Sequence, residues 1–243
     1  MSTTFELLTD DAVPLHACRW PALGTPRATV VLVHGFTASS REPKVVAVAE
    51  QLAGAGLEVV GYDARGHGRS GGEATLGDLE RFDVAAATTV AREATDPIVL
   101  VGASVGAIAA LRHVASAPGT VAGIVTVSCP ARWRLPRNAR GLTSAAMTQT
   151  SLGRWAARRY VGVRIARNVQ RPAPPIDLVN RVGAPVAVIH GRADPFIPSA
   201  DATALHGAAR DPRRLELVDG MGHAFEAPSI EPILGAIDWI LGR

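Results

Sequence analysis

Short runs of β-branched and aliphatic residues recur along this chain, each followed by a longer Ala-rich amphipathic stretch, and no other feature limits the fold as much. Thr29–Val33, Ile98–Val101, Gly123–Val127 and Pro185–Ile189 are apolar without alternation, as a strand buried on both faces requires. Such strands must be covered by helices on either side, so the alternation specifies an α/β arrangement around a mostly parallel sheet. Leu57–Tyr62 adds a further strand, and the more alternating Arg214–Val218 reads as an edge. Phe5–Leu8 and Val13–Trp20, separated by Thr9-Asp10-Asp11, form an expected opening hairpin. Helices are expected over Pro43–Ala55, Gly77–Ala94, Ala107–Ala115 and Ile230–Leu241. Proline in the first turn supports the first of these, and Asp78 serves as the expected cap of the second. The whole predicts a sheet of about eight strands flanked by helices, in one domain spanning all 243 residues.

Between Pro130 and Pro185 the rhythm stops. Arg- and Ala-rich helical segments and the breaker Arg171-Pro172-Ala173-Pro174-Pro175 fill a stretch too long for an ordinary loop. Residues 130–182 are therefore expected to form a small helical cap inserted before the next core strand. Charge is unevenly distributed as well. Cys129 to Arg181 holds eleven arginines, no lysine and one acid, Asp177, a net +10 within a chain whose total is +3. A segment of this kind suits an anionic ligand, a membrane surface or solvated helix faces.

Several classes are disfavoured. The amino-terminal MSTTFELLTDDAVPLH lacks the basic and apolar blocks of a signal peptide. No run of about 18 apolar residues is present, so membrane insertion is not expected. Cys18 and Cys129 match no zinc or redox spacing and read as buried hydrophobes in a reducing, cytoplasmic compartment. Gly66-His67-Gly68-Arg69-Ser70-Gly71 fits a dinucleotide fingerprint letter for letter, but no acidic residue follows a next strand at the required distance. With no P-loop and no metal-ligand spacing, neither cofactor nor metal is expected, nor a nucleic-acid partner.

Gly102-Ala103-Ser104-Val105-Gly106 sits between the Ile98–Val101 strand and a helix. In that setting G-x-S-x-G is a sharp turn that lifts a serine hydroxyl above the sheet. A hydroxyl needs a base to become a nucleophile. Of seven histidines, His223 lies in a glycine-flanked loop between the last strand and the last helix, at the sheet edge that carries Ser104. His34 and His190 also end strands but are followed at once by glycine and break the order serine, acid, histidine. Asp194, just beyond the Pro185–Ile189 strand, completes that order; Asp219, Asp177 and Asp201 are weaker choices. The N–H of Val105 is one oxyanion donor, and the second comes from His34-Gly35-Phe36-Thr37, with Phe36 N–H favoured over the Thr37 hydroxyl.

His34-Gly35-Phe36, Asp63-x-Arg65-Gly66-His67-Gly68-x-Ser70, Gly102-x-Ser104-x-Gly106, Gly191-x-x-Asp194-x-x-x-Pro198 and Gly222-His223 occur in order across residues 34–223. In this the chain resembles the α/β-hydrolase superfamily, in particular microbial esterases and monoacylglycerol-lipase or lysophospholipase-like members. The resemblance implies Ser104, Asp194 and His223 as a catalytic triad, Phe36 and Val105 as oxyanion donors, and Pro130–Arg181 as a cap over the acyl pocket. It implies a serine hydrolase of the carboxylesterase type, acting on a small acyl substrate and water. Ala103 departs from the pattern, because many lipases of this kind carry His there. A serine at the elbow argues against epoxide hydrolases and haloalkane dehalogenases, which use Asp. Thioester, lactone, amide or carbon–carbon hydrolysis use the same triad, and a non-catalytic ligand-binding protein on this fold is the rival from another class.

Overall fold

The computed structural model describes residues 2–133, 139–170 and 172–243. β1 (Thr3–Leu8) and β2 (Pro14–Trp20) form the expected hairpin. They are followed by β3 (Thr29–Val33), β4 (Glu58–Tyr62), β5 (Ile98–Ala103), β6 (Gly123–Val127), β7 (Val186–Gly191) and β8 (Arg213–Val218). All eight join one sheet in the order β1-β2-β4-β3-β5-β6-β7-β8. The hairpin runs antiparallel to β4, and every later pairing is parallel. β5 and β7 each extend two residues past their apolar runs, because ladder pairing continues through Ala103 and Gly191.

Period-two alternation along the buried strands splits their side chains between two cores. Val30 and Leu32 of β3 join Val99, Val101, Val125 and Val127 under α1 (Pro43–Gly54) and α8 (Ile230–Leu241). Val31 and Val33 join Leu100, Ile124 and Val188 on the other face, against α2 (Glu80–Ala94) and α3 (Val105–Ser116). Each large aliphatic side chain removed from water in this way contributes about 1.5–3 kcal/mol.

Three local readings change. Asp78 does not cap α2: its carboxylate binds Arg81 and Arg112 at 3.1 and 2.7 Å, while the Leu79 N–H donates to Thr75 Oγ1 at 2.8 Å. The helix then begins at Glu80 rather than Gly77. A helix not anticipated from sequence, α7 (Ser199–Ala208), packs against β7 and β8. It buries only Asp201, Ala202 and Leu205, too few apolar positions to mark a helical period.

Within the expected cap lie α4 (Ala139–Gln149), α5 (Ser151–Ala156), a π-helical turn over Ala157–Val161, and α6 (Pro175–Val179). Residues 134–138 and 171, including part of the breaker, lie outside the described residues. α6 packs on α3 and α7 and sends Leu178 and Val179 into the core beneath the sheet.

The turn from β5 into α3 depends on close backbone approach. A Cβ placed on Gly106 would stand 2.4 Å from the His34 carbonyl oxygen and 2.5 Å from that of Val33. The first turn of α3 therefore rests directly on the end of β3. Inside a helix, Gly to Ala ordinarily stabilises by about 1 kcal/mol. Here the Gly106→Ala variant is expected to lose about 2 kcal/mol or more, because two backbone carbonyls must move. Urea unfolding measures this, and a variant at or above wild-type stability would refute the close approach.

Candidate active site

The carboxyl ends of β3 through β8 all open on one edge of the sheet, where an α/β sheet presents its ligand crevice. Ser104 directly follows β5 with φ 52° and ψ −116°, a conformation that side-chain-bearing residues rarely hold. Its N–H donates to the Val127 carbonyl of β6 at 2.9 Å, and its carbonyl accepts from Ala107 and Ile108 at 3.1 and 3.2 Å. The turn is thus fastened to the neighbouring strand on one side and to its own helix on the other. Val105 is the first residue of α3, where backbone N–H groups have no intrahelical acceptor.

The loop after β3 lies against this turn. A Cβ built on Gly35 would be 3.3 Å from Ser104 Cβ, so a side chain there would crowd the serine. Next in the loop, Phe36 sets its ring edge-on to His67 at 5.9 Å, and Thr37 takes φ 68°. His67 also meets His34 at 5.2 Å. His34 is held at both nitrogens: Nδ1–H donates to the Gly35 carbonyl at 2.8 Å and Nε2 accepts the Ala64 N–H at 2.9 Å. Burial, with His67 alongside, pushes its imidazole down to about 4, so the ring is neutral. His34 thus braces the loop.

At the other end of the edge, His223 and Asp194 meet. His223 Nδ1 lies 2.7 Å from Asp194 Oδ2, and the Asp194 side chain is fully buried. Asp194 Oδ1 accepts the N–H groups of Phe196 and Ile197 at 2.8 and 3.0 Å. Burial pushes the carboxyl up, but the His223 hydrogen bond and charge and the two backbone donors outweigh it. The group is held below the usual carboxylate range. An ionised carboxylate only accepts, so His223 Nδ1 carries a hydrogen and donates it to Asp194. Phe196 stacks at a tilt on the His223 ring, 5.0 Å between centroids.

The other candidates are engaged elsewhere. Asp219 is 91% exposed and pairs with Arg192 at 3.0 Å. Asp201 accepts the Ala131 N–H at 2.9 Å, and Asp177 is exposed on α6. His190 is buried with Nε2 2.9 Å from the Ile197 carbonyl and 3.6 Å from Asp194 Oδ2, beneath the Asp194 loop. Burial raises the Cys129 thiol well above its ordinary range, which removes it as a competing nucleophile.

Two further residues hold these loops: Ser128, which carried no signal in the sequence, and Asp63, which opens the glycine-rich motif but had no role assigned. Ser128, at φ 49° after β6, accepts the Ala224 N–H at 3.1 Å and pins the residue next to His223. Asp63 accepts from Ser40 N–H and Oγ–H at 2.8 Å and from Arg69 N–H at 2.9 Å. The glycine-rich turn is consumed by such contacts: Arg65 reaches Asp83 at 2.8 Å and Asp11 at 2.7 Å, and Ser70 Oγ accepts the His16 N–H at 2.9 Å. Among the described residues no cluster of His, Cys, Asp or Glu has metal-binding geometry, and no helix is long and apolar enough to cross a membrane.

Residues 24–177 match the model of the Hydrolase_4 family, described as serine aminopeptidase, S33. A monoacylglycerol lipase of Mycolicibacterium smegmatis is 36% identical over 111 residues, 44% of this chain and 39% of the lipase. Human monoglyceride lipase is 33% identical over 117 residues, 46% of this chain and 38% of that protein. The alignments thus span well under half of either relative. The Pyrococcus furiosus esterase Pf2001 superposes over 100% of this chain and 92% of its own, with TM-score 0.74 and 24% identity, a likeness of fold. With the family model covering more than half its length, the chain belongs to the Hydrolase_4 family and carries the α/β-hydrolase fold.

Proposed function

We propose that this chain is a serine hydrolase that cleaves carboxylic esters or thioesters of small or medium acyl groups through an acyl-enzyme at Ser104. The 2.7 Å contact of His223 Nδ1 with buried Asp194 carries the reading, because it orients the imidazole and leaves Nε2 for a substrate or nucleophile proton on the edge where Ser104 turns. The lipase and esterase relatives support the same chemistry at the level of the family.

In this reading Ser104 Oγ attacks the ester carbonyl carbon while its proton passes to His223 Nε2. The N–H groups of Val105 and Phe36 stabilise the oxyanion. Asp194 stabilises the imidazolium, which then protonates the leaving alcohol or thiol as its bond to carbon breaks. Water attacks the acyl-enzyme and gives its proton to His223, and the acid leaves as Ser104 Oγ recovers a proton. We assign residues 130–182 as the cap over the acyl group. The cluster of Ala157, Val163 and Ile165, with Phe36 packed against it, supports this by joining the underside of that segment to the oxyanion loop.

The family description favours amide hydrolysis as a second reading. Recognition of a free amino terminus calls for a carboxylate over the elbow. Asp177, the segment's one acid, is exposed on α6, which favours the ester. A panel of p-nitrophenyl esters and amino-acyl p-nitroanilides separates the two.

Ser104→Ala and Asp194→Asn are each expected to lower kcat/KM on esters by about 10³-fold or more with an unchanged unfolding midpoint. Near-wild-type turnover by the Ser104→Ala variant refutes the assignment. Because Asp194 is held below the carboxylate range, it stays ionised as pH falls through that range. No acid limb of kcat/KM is therefore expected from Asp194 within that range. A limb at about pH 4 would make Asp194 the titrating group and contradict the assigned roles.

A further inference from the structure

α5 buries none of its residues. Leu152 and Trp155, three apart on one helix face, are 72% and 56% exposed, and Tyr160 just beyond is 73% exposed. The Trp155 and Tyr160 rings meet edge-on at 5.9 Å, and the Arg159 guanidinium lies 5.4 Å over Tyr160. Arg158 is exposed beside them. The opposite side of the segment is anchored. Ala157 is buried with Val163 and Ile165, and backbone bonds from Arg164 to Gly66 and from Ala74 to Arg164 stitch it to the glycine-rich turn at 2.8 and 2.7 Å. An apolar, aromatic and cationic face is thus held outward by a fixed underside.

We propose that this face docks on an anionic lipid surface. Leu152, Trp155 and Tyr160 would enter the boundary between headgroups and acyl chains, and Arg158 and Arg159 would meet lipid phosphates. Aromatic rings with one polar atom favour that boundary, and apolar burial joined to cationic attraction is the two-part signal that peripheral membrane binding requires. A second copy is a poor occupant, because its own face would set another +10 segment against this one. A nucleic acid would engage the arginines and rings but give Leu152 no apolar surroundings. Docking needs no step at Ser104, so it stands or falls apart from the hydrolase reading.

The test is co-sedimentation of the full chain with vesicles of phosphatidylcholine containing about 30% phosphatidylglycerol. Wild type and Ser104→Ala are expected to bind alike, and about tenfold more than to phosphatidylcholine alone. About 0.5 M NaCl should release them. W155A/Y160A and R158E/R159E should each lower binding about tenfold with unchanged far-UV circular dichroism. Should either double variant unfold, brominated phosphatidylglycerol decides: it quenches wild-type fluorescence beyond that of W155F if Trp155 enters the bilayer. Absence of vesicle binding, equal binding to neutral vesicles, or quenching identical in W155F overturns the proposal. So does a dimer that W155A/Y160A dissolves, or oligonucleotide binding without vesicle binding.

Discussion

Ser104 is held at φ 52°, where an L-residue is strained by about 1–3 kcal/mol, and the carboxyl edge of the sheet is organised around keeping it there. The β6 carbonyl of Val127 fixes its N–H, and α3 begins from its carbonyl. Gly106 allows that helix to touch the backbone of β3. Two strands and a helix therefore determine one angle. Thr37, Ser128 and Ala224 also hold positive φ, beside the Ser104 turn, after β6 and next to His223. Strain stored at one edge, with rigid strands beneath it, is the usual condition for a preorganised site.

Around the turn stands a layer of buried polar groups that keeps each loop in place. Asp63 ties the β4 end to the Ser40 region, and Arg65 joins the same turn to α2 and to the opening hairpin through Asp83 and Asp11. Buried ion pairs of this kind contribute little net stability, but removal of one partner strands a charge and is costly. The neutral rings of His34 and His67 back the Phe36 loop, while His190 and Ser128 do the same for the Asp194 and His223 loops. The underside of the arginine-rich segment adds Ala157, Val163 and Ile165 to the Phe36 contact, which links its outward face to the same loop.

Much of this was legible from the chain alone because parallel strands buried on both faces must be written as continuous apolar runs. The β3 and β6 boundaries agree with the runs themselves, whereas β5 and β7 run on through small residues whose pairing no local pattern announces. Chain order singled out Asp194 and His223, and the two are in contact. Ser128 acts through space on a loop nearly a hundred residues distant, so no spacing marks it, and the motif that contains Asp63 does not announce its contact with Ser40. Asp78 has the composition of a cap, but Arg81 and Arg112 compete for its carboxylate and Thr75 takes the helix start. α7 was hidden because its buried positions are only Asp201, Ala202 and Leu205, too few apolar residues to mark a helical period.

The most direct measurement is peptide mass spectrometry after reaction with a fluorophosphonate, which captures only a serine activated by its base. The account predicts one adduct per chain, on the peptide containing Ser104, at a rate reduced by His223→Ala and abolished by Ser104→Ala. An adduct on any other serine, or none with the chain folded, would contradict it.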